Sequence, residues 1–513
     1  MDLLEYAFLC LYGLASLGLF LYGMNCYVLL FGYYRQRDRE RRSNQEFLAR
    51  YRAGNALYDL PHVTSQLPIY NERYVVTRLL AAVTALQYPR DRHEIQVLDD
   101  STDETSALIA RDVERYREQG FKIVHVRRPD RRGFKAGALN YGMRQAEGAF
   151  LAVFDADFVP PSDFLLQTVP FFSQSPRIAM VQTRWGHLNR DYSLLTRAQS
   201  VGIDGHFLIE QGARTWQGLY MNFNGTAGIW RKAAIEDAGG WQADTLTEDL
   251  DLSYRVQLRG WRMKYLSDVV APSELPVDIN GLKSQQHRWA KGSIQTARKV
   301  LPAVFRARVG WFHKIEAVFH LTHYAIHPLM LVVALLAWPA LALTQQRSSN
   351  VLFVITGLFL ALSTFSPSIM YLCSQREAYP DWRRRLWILP ALIAIGVGIA
   401  LNNSKAVAEA LLGRRSGFVR TPKYGVEQEH AERRQAEVRE RRRVYRVRGS
   451  LVFLLEIAIG LYGFATLVQY VGDGKWAVAP FLLLNAVGFT TVGFLSLLHW
   501  WHGAASWRVA FAR

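Results

Sequence analysis

Asp155-Ala156-Asp157 follows an apolar run at 150–154. Two carboxylates one residue apart at the end of a buried strand can hold a hard divalent cation, and such a cation neutralises the charge of a departing diphosphate. The same residues also serve as a plain strand-end cap. Asp99-Asp100 closes a second apolar run, 95–98, where an Asp is often just the N-cap of the next helix. Thr247-Glu248-Asp249 opens an amphipathic stretch that reaches Trp261. It reads either as a capped helix start with acids in the first turn or as a general base facing a site. In Gln285-Gln286-His287-Arg288-Trp289, Arg288 can clamp a diphosphate bidentately and Trp289 offers a flat face to a sugar ring. An interfacial helix with ordinary Trp and Arg anchors fits the same residues. Phe418-Val419-Arg420-Thr421-Pro422-Lys423 lies in a Gly- and Arg-rich loop. With a hydroxyl and two cations it can close over a phosphate, or it is simply surface.

The elements around these groups follow from periodicity. Between residues 60 and 275, the runs 95–98, 123–126, 150–154 and 178–182 predict strands, and 72–87, 103–118 and 135–147 predict helices. That alternation argues for a mostly parallel sheet with helices on both faces, whose ligands bind at the carboxyl ends of the strands. Asp99-Asp100 and Asp155-Ala156-Asp157 both stand at such ends.

Residues 6–34 carry no charge, which is enough to cross a hydrocarbon core of about 30 Å. Asp2 and Glu5 precede this segment, and Arg35, Arg37, Arg39, Arg41 and Arg42 follow it. The acidic start argues against a cleaved signal peptide, and the basic flank places residue 35 onward in the cytoplasm. Further spans are expected at 318–343, 351–373, 451–471 and 478–500. The segment 386–402 is shorter and contains Pro390, and basic clusters flank it on both sides (Arg383, Arg384 and Arg385; Lys405, Arg414 and Arg415). A crossing there would put one cluster outside, so it reads as interfacial or re-entrant. The expected order is therefore a span at 6–34, a cytoplasmic domain at 35–277 and interfacial helices at 278–315. Two spans follow within 318–373, then the interfacial or re-entrant helix at 386–402. A cytoplasmic loop and basic tract at 403–448 and two spans within 451–500 complete the chain.

The chain has 513 residues and a formal charge of +17, from 61 Lys and Arg against 44 Asp and Glu. Three cysteines (Cys10, Cys26 and Cys373) with no CxxC pair exclude a disulfide scaffold and a structural zinc site. The Arg-rich tract 431–448 suits anionic lipid headgroups better than nucleic acid.

Taken in order, Asp99/Asp100, Asp155/Asp157, Glu248/Asp249 and Gln285…Arg288-Trp289, flanked by apolar helices, resemble the membrane-embedded processive branch of glycosyltransferase family 2, which includes the cellulose and hyaluronan synthases. Phe418, Thr421 and Lys423 match the gating-loop pattern Phe-x-x-Thr-x-Lys of that branch. The wording of Pro68-Ile69-Tyr70-Asn71-Glu72, Lys135-Ala136-Gly137-Ala138-Leu139 and Phe223-Asn224-Gly225-Thr226 is similar to the cellulose-synthase-like glucomannan and mannan synthases and their bacterial relatives. Cellulose synthases usually have Cys in the segment where Asn224 stands here.

The resemblance implies an α/β GT-A (Rossmann-like) cytoplasmic glycosyltransferase domain inserted between transmembrane helices. It implies that Tyr70, Glu72, Asp99, Asp100 and Lys135 hold the nucleotide, and that Asp155 and Asp157 bind Mg²⁺ or Mn²⁺. Asp249, beside Glu248, would be the catalytic base. Gln285, Arg288 and Trp289 would hold diphosphate and acceptor, with Phe418, Arg420, Thr421 and Lys423 as the gating loop. The expected activity is elongation of a β-glucan, mannan or glucomannan from UDP-glucose or GDP-mannose, with export of the polymer across the inner or plasma membrane. The expected partners are the nucleotide sugar, the growing polysaccharide and the bilayer, with no nucleic acid. One alternative is a single transfer to a lipid acceptor. Another, a channel or transporter, predicts ionisable residues lining the spans, and few occur there (Glu456, His320, His323 and His327).

Overall fold

The computed structural model describes residues 3–54, 60–345, 351–414, 420–426 and 451–510. Among these, seven strands form one sheet in the order β3-β2-β1-β4-β6-β5-β7. They are β1 (Val63–Ile69), β2 (His93–Asp99), β3 (Ile123–Arg127), β4 (Phe150–Val153), β5 (Ile178–His187), β6 (Gly228–Arg231) and β7 (Arg262–Ser273). The strands β1 to β4 are mutually parallel, β6 is antiparallel to both β4 and β5, and β7 is parallel to β5. All strands except β6 thus deliver their carboxyl ends to one edge.

The four strands and three helices expected from the sequence are all present, the helices as Val76–Thr84, Thr105–Glu118 and Phe134–Gln145. Sequence patterning missed β1, β6 and β7. The central strand β1 reads Val-Thr-Ser-Gln-Leu-Pro-Ile, polar in its middle and carrying a proline, both cues against a buried strand. Its polar side chains are buried because β2 satisfies them. Thr64 donates to Glu94 (2.6 Å), Ser65 pairs with His93 (2.8 Å) and Gln66 donates to Gln96 (3.1 Å). Buried polar groups paired in this way avoid the desolvation cost of isolated ones.

Each face of the sheet carries its own core. Leu67, Ile95, Val97 and Phe154 pack with Val76, Leu79, Leu80 and Phe164 on one side. Leu98, Leu151, Val153 and Met180 pack with Leu139, Phe223, Trp230 and Trp241 on the other.

Five helices among the described residues are long and apolar enough to cross a membrane, within Glu5–Ala53, Trp311–Leu343, Gly357–Ala378, Val452–Gly472 and Ala479–Trp501. The first runs on as one helix from Leu3 to Ala53, well past the apolar segment. Phe47 and Leu48, near its end, pack on the sheet's core, and Arg37 and Arg41 pair with Glu377 at the end of the third. The segment expected at 386–402 is a pair of helices bent by 42° between Trp382–Gly398 and Ala400–Leu411. A helix over Ile279–Arg306, capped by the Asp278 carboxylate accepting from the Gly281 N–H (2.8 Å), connects the α/β domain to the membrane helices. Its Lys283 donates to both oxygens of Glu456 (2.6 and 2.9 Å), a buried ion pair joining it to the helix Val452–Gly472.

Candidate active site

A single cleft at the carboxyl edge of the sheet gathers Tyr70, Glu72, Asp100, Lys135, Asp155, Asp157, Glu248, Asp249, Gln285, Arg288, Trp289, Arg420, Thr421 and Lys423. These come from strand ends, two helix starts, the long interfacial helix and the loop at 420–426. Phe418 and the basic tract 431–448 lie outside the described residues. Asp99 does not line the cleft. It accepts hydrogen bonds from Ser101 (2.8 Å), Ser106 (2.6 Å) and His125 (2.9 Å). Burial opposes its charge, but these three partners pull the carboxyl down to about 2. It therefore anchors the end of β2, while Asp100 turns to the cleft and is clamped by Arg128 on both oxygens (2.7 and 2.5 Å).

Asp155 and Asp157 each hold an ammonium group. Lys135 donates to Asp155 and to the Gly225 carbonyl (2.8 Å). Lys423 reaches Asp157 (2.6 Å) and the Glu274 carbonyl (2.8 Å). Carboxylate oxygens of this kind suit a hard divalent ion, which would take the place of the two ammonium groups on them. No cluster of three His, Cys, Asp or Glu occurs among the described residues, so the remaining ligands of such an ion would be water or oxygens of a bound molecule.

Thr247 stands at the N-cap of the helix Glu248–Leu258 but makes no capping bond. Its hydroxyl pairs instead with Thr296 (3.2 Å) on the interfacial helix. Gly292 permits this contact, since a Cβ there would lie 2.5 Å from the Thr247 methyl. Lys299 reinforces the junction by ion pairs with Asp244 (2.8 Å) and Asp251 (2.9 Å). Asp249 and the segment carrying Gln285, Arg288 and Trp289 are thereby held in one block. Burial, then the neighbouring Glu248 charge, push the Asp249 carboxyl up to about 7 against the pull of Lys135. Gly225 adopts φ +83°, and a Cβ on it would stand 2.9 Å from Asp249 Oδ2. Only glycine serves at that point, on both grounds.

The loop 420–426 seals the other wall. Arg420 pairs with Glu72 (2.5 Å), whose carboxyl burial lifts to about 7 even so. The buried Thr421 hydroxyl has no partner among the described residues. Glu274 fixes the loop by accepting from the backbone amides of Tyr424 (2.8 Å), Gly425 (2.9 Å) and Val426 (3.2 Å). Arg131 stacks on Tyr70, its guanidinium carbon 3.3 Å from the ring centre. Sequence reasoning missed Glu274, Arg131 and Asn224, all of which line the cleft. Glu274 had a readable signal, a carboxylate directly after a strand, but β7 itself went unseen.

The family profile described as "Glycosyltransferase like family 2" matches residues 61–292. Glucomannan 4-beta-mannosyltransferase 7 of Arabidopsis thaliana is 33% identical over 459 residues, covering 86% of this chain and 77% of that protein. Glucomannan 4-beta-mannosyltransferase 1 of Oryza sativa subsp. japonica is 42% identical over 265 residues, about half of each chain (51% of both). Among solved structures, a mannosyltransferase from Pyrobaculum calidifontis in complex with GDP-Man and Mn2+ superposes with a TM-score of 0.51 at 19% identity, covering 79% of this chain and all of that one. That likeness concerns the fold, which is of GT-A type.

Proposed function

This chain belongs to glycosyltransferase family 2 and is similar to glucomannan 4-β-mannosyltransferases, and on that footing we propose that it is a membrane-embedded inverting hexosyltransferase that elongates a β-mannan or glucomannan and passes it outward. The observation that carries the proposal is the convergence on one cleft of Asp249, the Asp155/Asp157 pair and the Gln285…Arg288-Trp289 segment.

In this reading the donor is a nucleotide sugar, GDP-mannose or UDP-glucose. Tyr70, Glu72 and Asp100 line the nucleotide end of the cleft, with Arg131 stacked on Tyr70. Asp155 and Asp157 would hold Mg²⁺ or Mn²⁺, which when bound neutralises charge developing on the diphosphate. Lys135, Lys423 and Arg288 add fixed positive charge to the same end, and the Thr421 hydroxyl, without a partner among the described residues, can donate to a phosphate oxygen. Trp289 supplies the platform for the acceptor sugar.

Asp249 takes the proton of the acceptor hydroxyl as that oxygen attacks the anomeric carbon from the face opposite the diphosphate. One displacement with one base inverts the centre, so an α-linked donor yields a β-linked product. A carboxyl lifted to about 7 suits this task, since a general base works best with its pKa near the operating pH. The catalytic domain faces the cytoplasm, and the apolar helices surround the path of the polymer.

The test is synthesis in purified membranes with Mg²⁺ or Mn²⁺, supplying radiolabelled GDP-mannose and UDP-glucose separately. The expected result is label in high-mass material that a β-1,4-mannanase degrades. Label confined to the lipid extract would replace the polymerase by a single-transfer enzyme.

A further inference from the structure

Immediately before Gly225, where a Cβ would lie 2.9 Å from Asp249 Oδ2, stands Asn224, held by three hydrogen bonds, one at its backbone and two at its side chain. Its backbone N–H donates to Gln182 Oε1 (3.0 Å), on a fully buried glutamine of β5. Its Oδ1 accepts from Gln211 Nε2, and its Nδ2 lies 2.8 Å from His206 Nε2. The amide is therefore unambiguous: with Oδ1 taken by the Gln211 donor, Nδ2 is the donor to the imidazole. The imidazole tautomer is fixed in turn, because His206 Nδ1 faces Glu210 Oε2 (2.8 Å), which accepts only. Glu210 also accepts from Arg214 Nε (2.9 Å), and Arg214 pairs with Glu316 (3.5 Å). Glu316 in turn accepts from Asn25 of the first membrane helix (2.6 Å).

A primary amide has two N–H donors and two lone pairs on its oxygen. Among the described residues, one of each is used by protein, and Asn224 is half-buried and lines the cleft. One donor and one acceptor remain on a side chain that lines the same cleft as Asp249, one residue from the Gly225 backbone that approaches it. That complement matches a sugar hydroxyl, which both donates and accepts. His206 and Gln211 border this point because the helix carrying them passes through a π-turn, Gly205–Glu210, between Leu194–Asp204 and Gln211–Trp216. Such turns re-aim side chains and recur at functional sites.

We propose that Asn224 is an acceptor-binding residue that hydrogen-bonds a hydroxyl of the terminal acceptor sugar next to the attacking one, with His206 and Gln211 as its positioning residues. The assignment rests on the glycosyltransferase reading above. It assigns acceptor recognition to the amide, while the neighbouring Gly225 carbonyl holds Lys135 of the donor side (2.8 Å). One lost hydrogen bond of this kind is worth about tenfold in affinity.

The experiment measures two rates on the solubilised full chain with a divalent ion. One is transfer of labelled mannose to a soluble β-mannan oligosaccharide, and the other is release of free sugar by transfer to water. For Asn224→Ala the expected result is an acceptor KM raised about tenfold, with donor KM moved by less than about twofold and transfer to water lowered far less than transfer to the oligosaccharide. His206→Leu should raise acceptor KM similarly. His206→Gln, whose side-chain oxygen can still accept from Asn224, should restore it to within about twofold. An acceptor KM unmoved in Asn224→Ala, or a donor KM raised in parallel, overturns the assignment while leaving the glycosyltransferase reading intact. Equal loss in His206→Leu and His206→Gln overturns the positioning role. A wild-type chain that turns over no nucleotide sugar overturns both readings together.

Discussion

If Asp249 is the base, the rate follows its ionised fraction, and pH is the perturbation that reads it. Its carboxyl sits at about 7, lifted by burial and by the adjacent Glu248 charge, with Lys135 opposing. The reactive form is the deprotonated one, so activity rises with pH through about 7 and levels off above it. One unit below the midpoint about a tenth of the molecules carry an ionised base, and each further unit removes about another factor of ten. Glu72, also near 7 through burial, titrates in the same window on the donor side. Measuring kcat/KM for the acceptor at saturating donor removes that second step. Replacing Glu248 by Gln deletes the like charge and keeps the cleft closed, so Asp249 becomes more acidic and the acid limb moves to lower pH. At pH about 6 the variant should then retain a larger share of its own plateau than wild type does. Asp249→Asn should lose about 10²- to 10⁴-fold at every pH while still binding donor. The assay is initial-rate incorporation of labelled sugar from pH about 5 to about 9 at a fixed level of divalent ion. A wild-type midpoint below pH about 5, or a limb that stays in place in Glu248→Gln, would refute a base tuned by its neighbour.

Asp157→Ala should abolish the divalent-ion dependence of donor binding, read by titrating fluorescent nucleotide with and without Mn²⁺; unchanged metal dependence would remove Asp157 from the ion site. Gly292→Ala drives a methyl into Thr247 and should cost about 1–3 kcal/mol by overpacking, lowering Tm, and should depress kcat more than donor affinity because it parts Asp249 from Arg288. Lys283→Met strands the buried Glu456 carboxylate and should destabilise by about 3–5 kcal/mol. The double variant Lys283→Met/Glu456→Leu should recover most of that loss in a thermal-shift measurement, and failure to recover would show that the pair is not an isolated unit.

How much of this was legible in the sequence depended on whether a residue's role is local. Asp100, Asp155, Asp157 and Asp249 were readable because each follows a strand or opens a helix that its own neighbours specify, and one cleft takes them all. Asp99 shows the limit of that reasoning. It has the same residue type and strand end as Asp100, but alternate side chains point to opposite faces. Asp99 therefore meets His125 and Ser106 while Asp100 meets the cleft. Strand β1 was illegible for a different reason: its burial is made tolerable by Glu94, His93 and Gln96, thirty residues away or nearly so, and a hydropathy pattern has no way to express a partner.

The support beneath Asn224 is the extreme of this second kind. His206 and Asn224 are separated by 18 positions, and nothing in the periodicity around His206 marks it, because the π-turn breaks the 3.6-residue repeat on which such marking depends. The chain from Asn224 through His206, Glu210, Arg214 and Glu316 to Asn25 crosses from the floor of the cleft to the first membrane helix. The Asn224 side chain is thereby fastened to the membrane helices, while the next two residues bond the other side of the cleft: the Gly225 carbonyl accepts from Lys135 (2.8 Å) and the Thr226 hydroxyl accepts from the Asp155 N–H (2.9 Å) at the end of β4. If the polymer leaves through the membrane, as proposed, its end has to be held in register with that exit at every addition, while the donor only has to arrive and depart. A segment anchored to the membrane helices through Asn224 and to the sheet through Thr226 would hold the Asn224 and Asp155 sides of the cleft at a fixed separation.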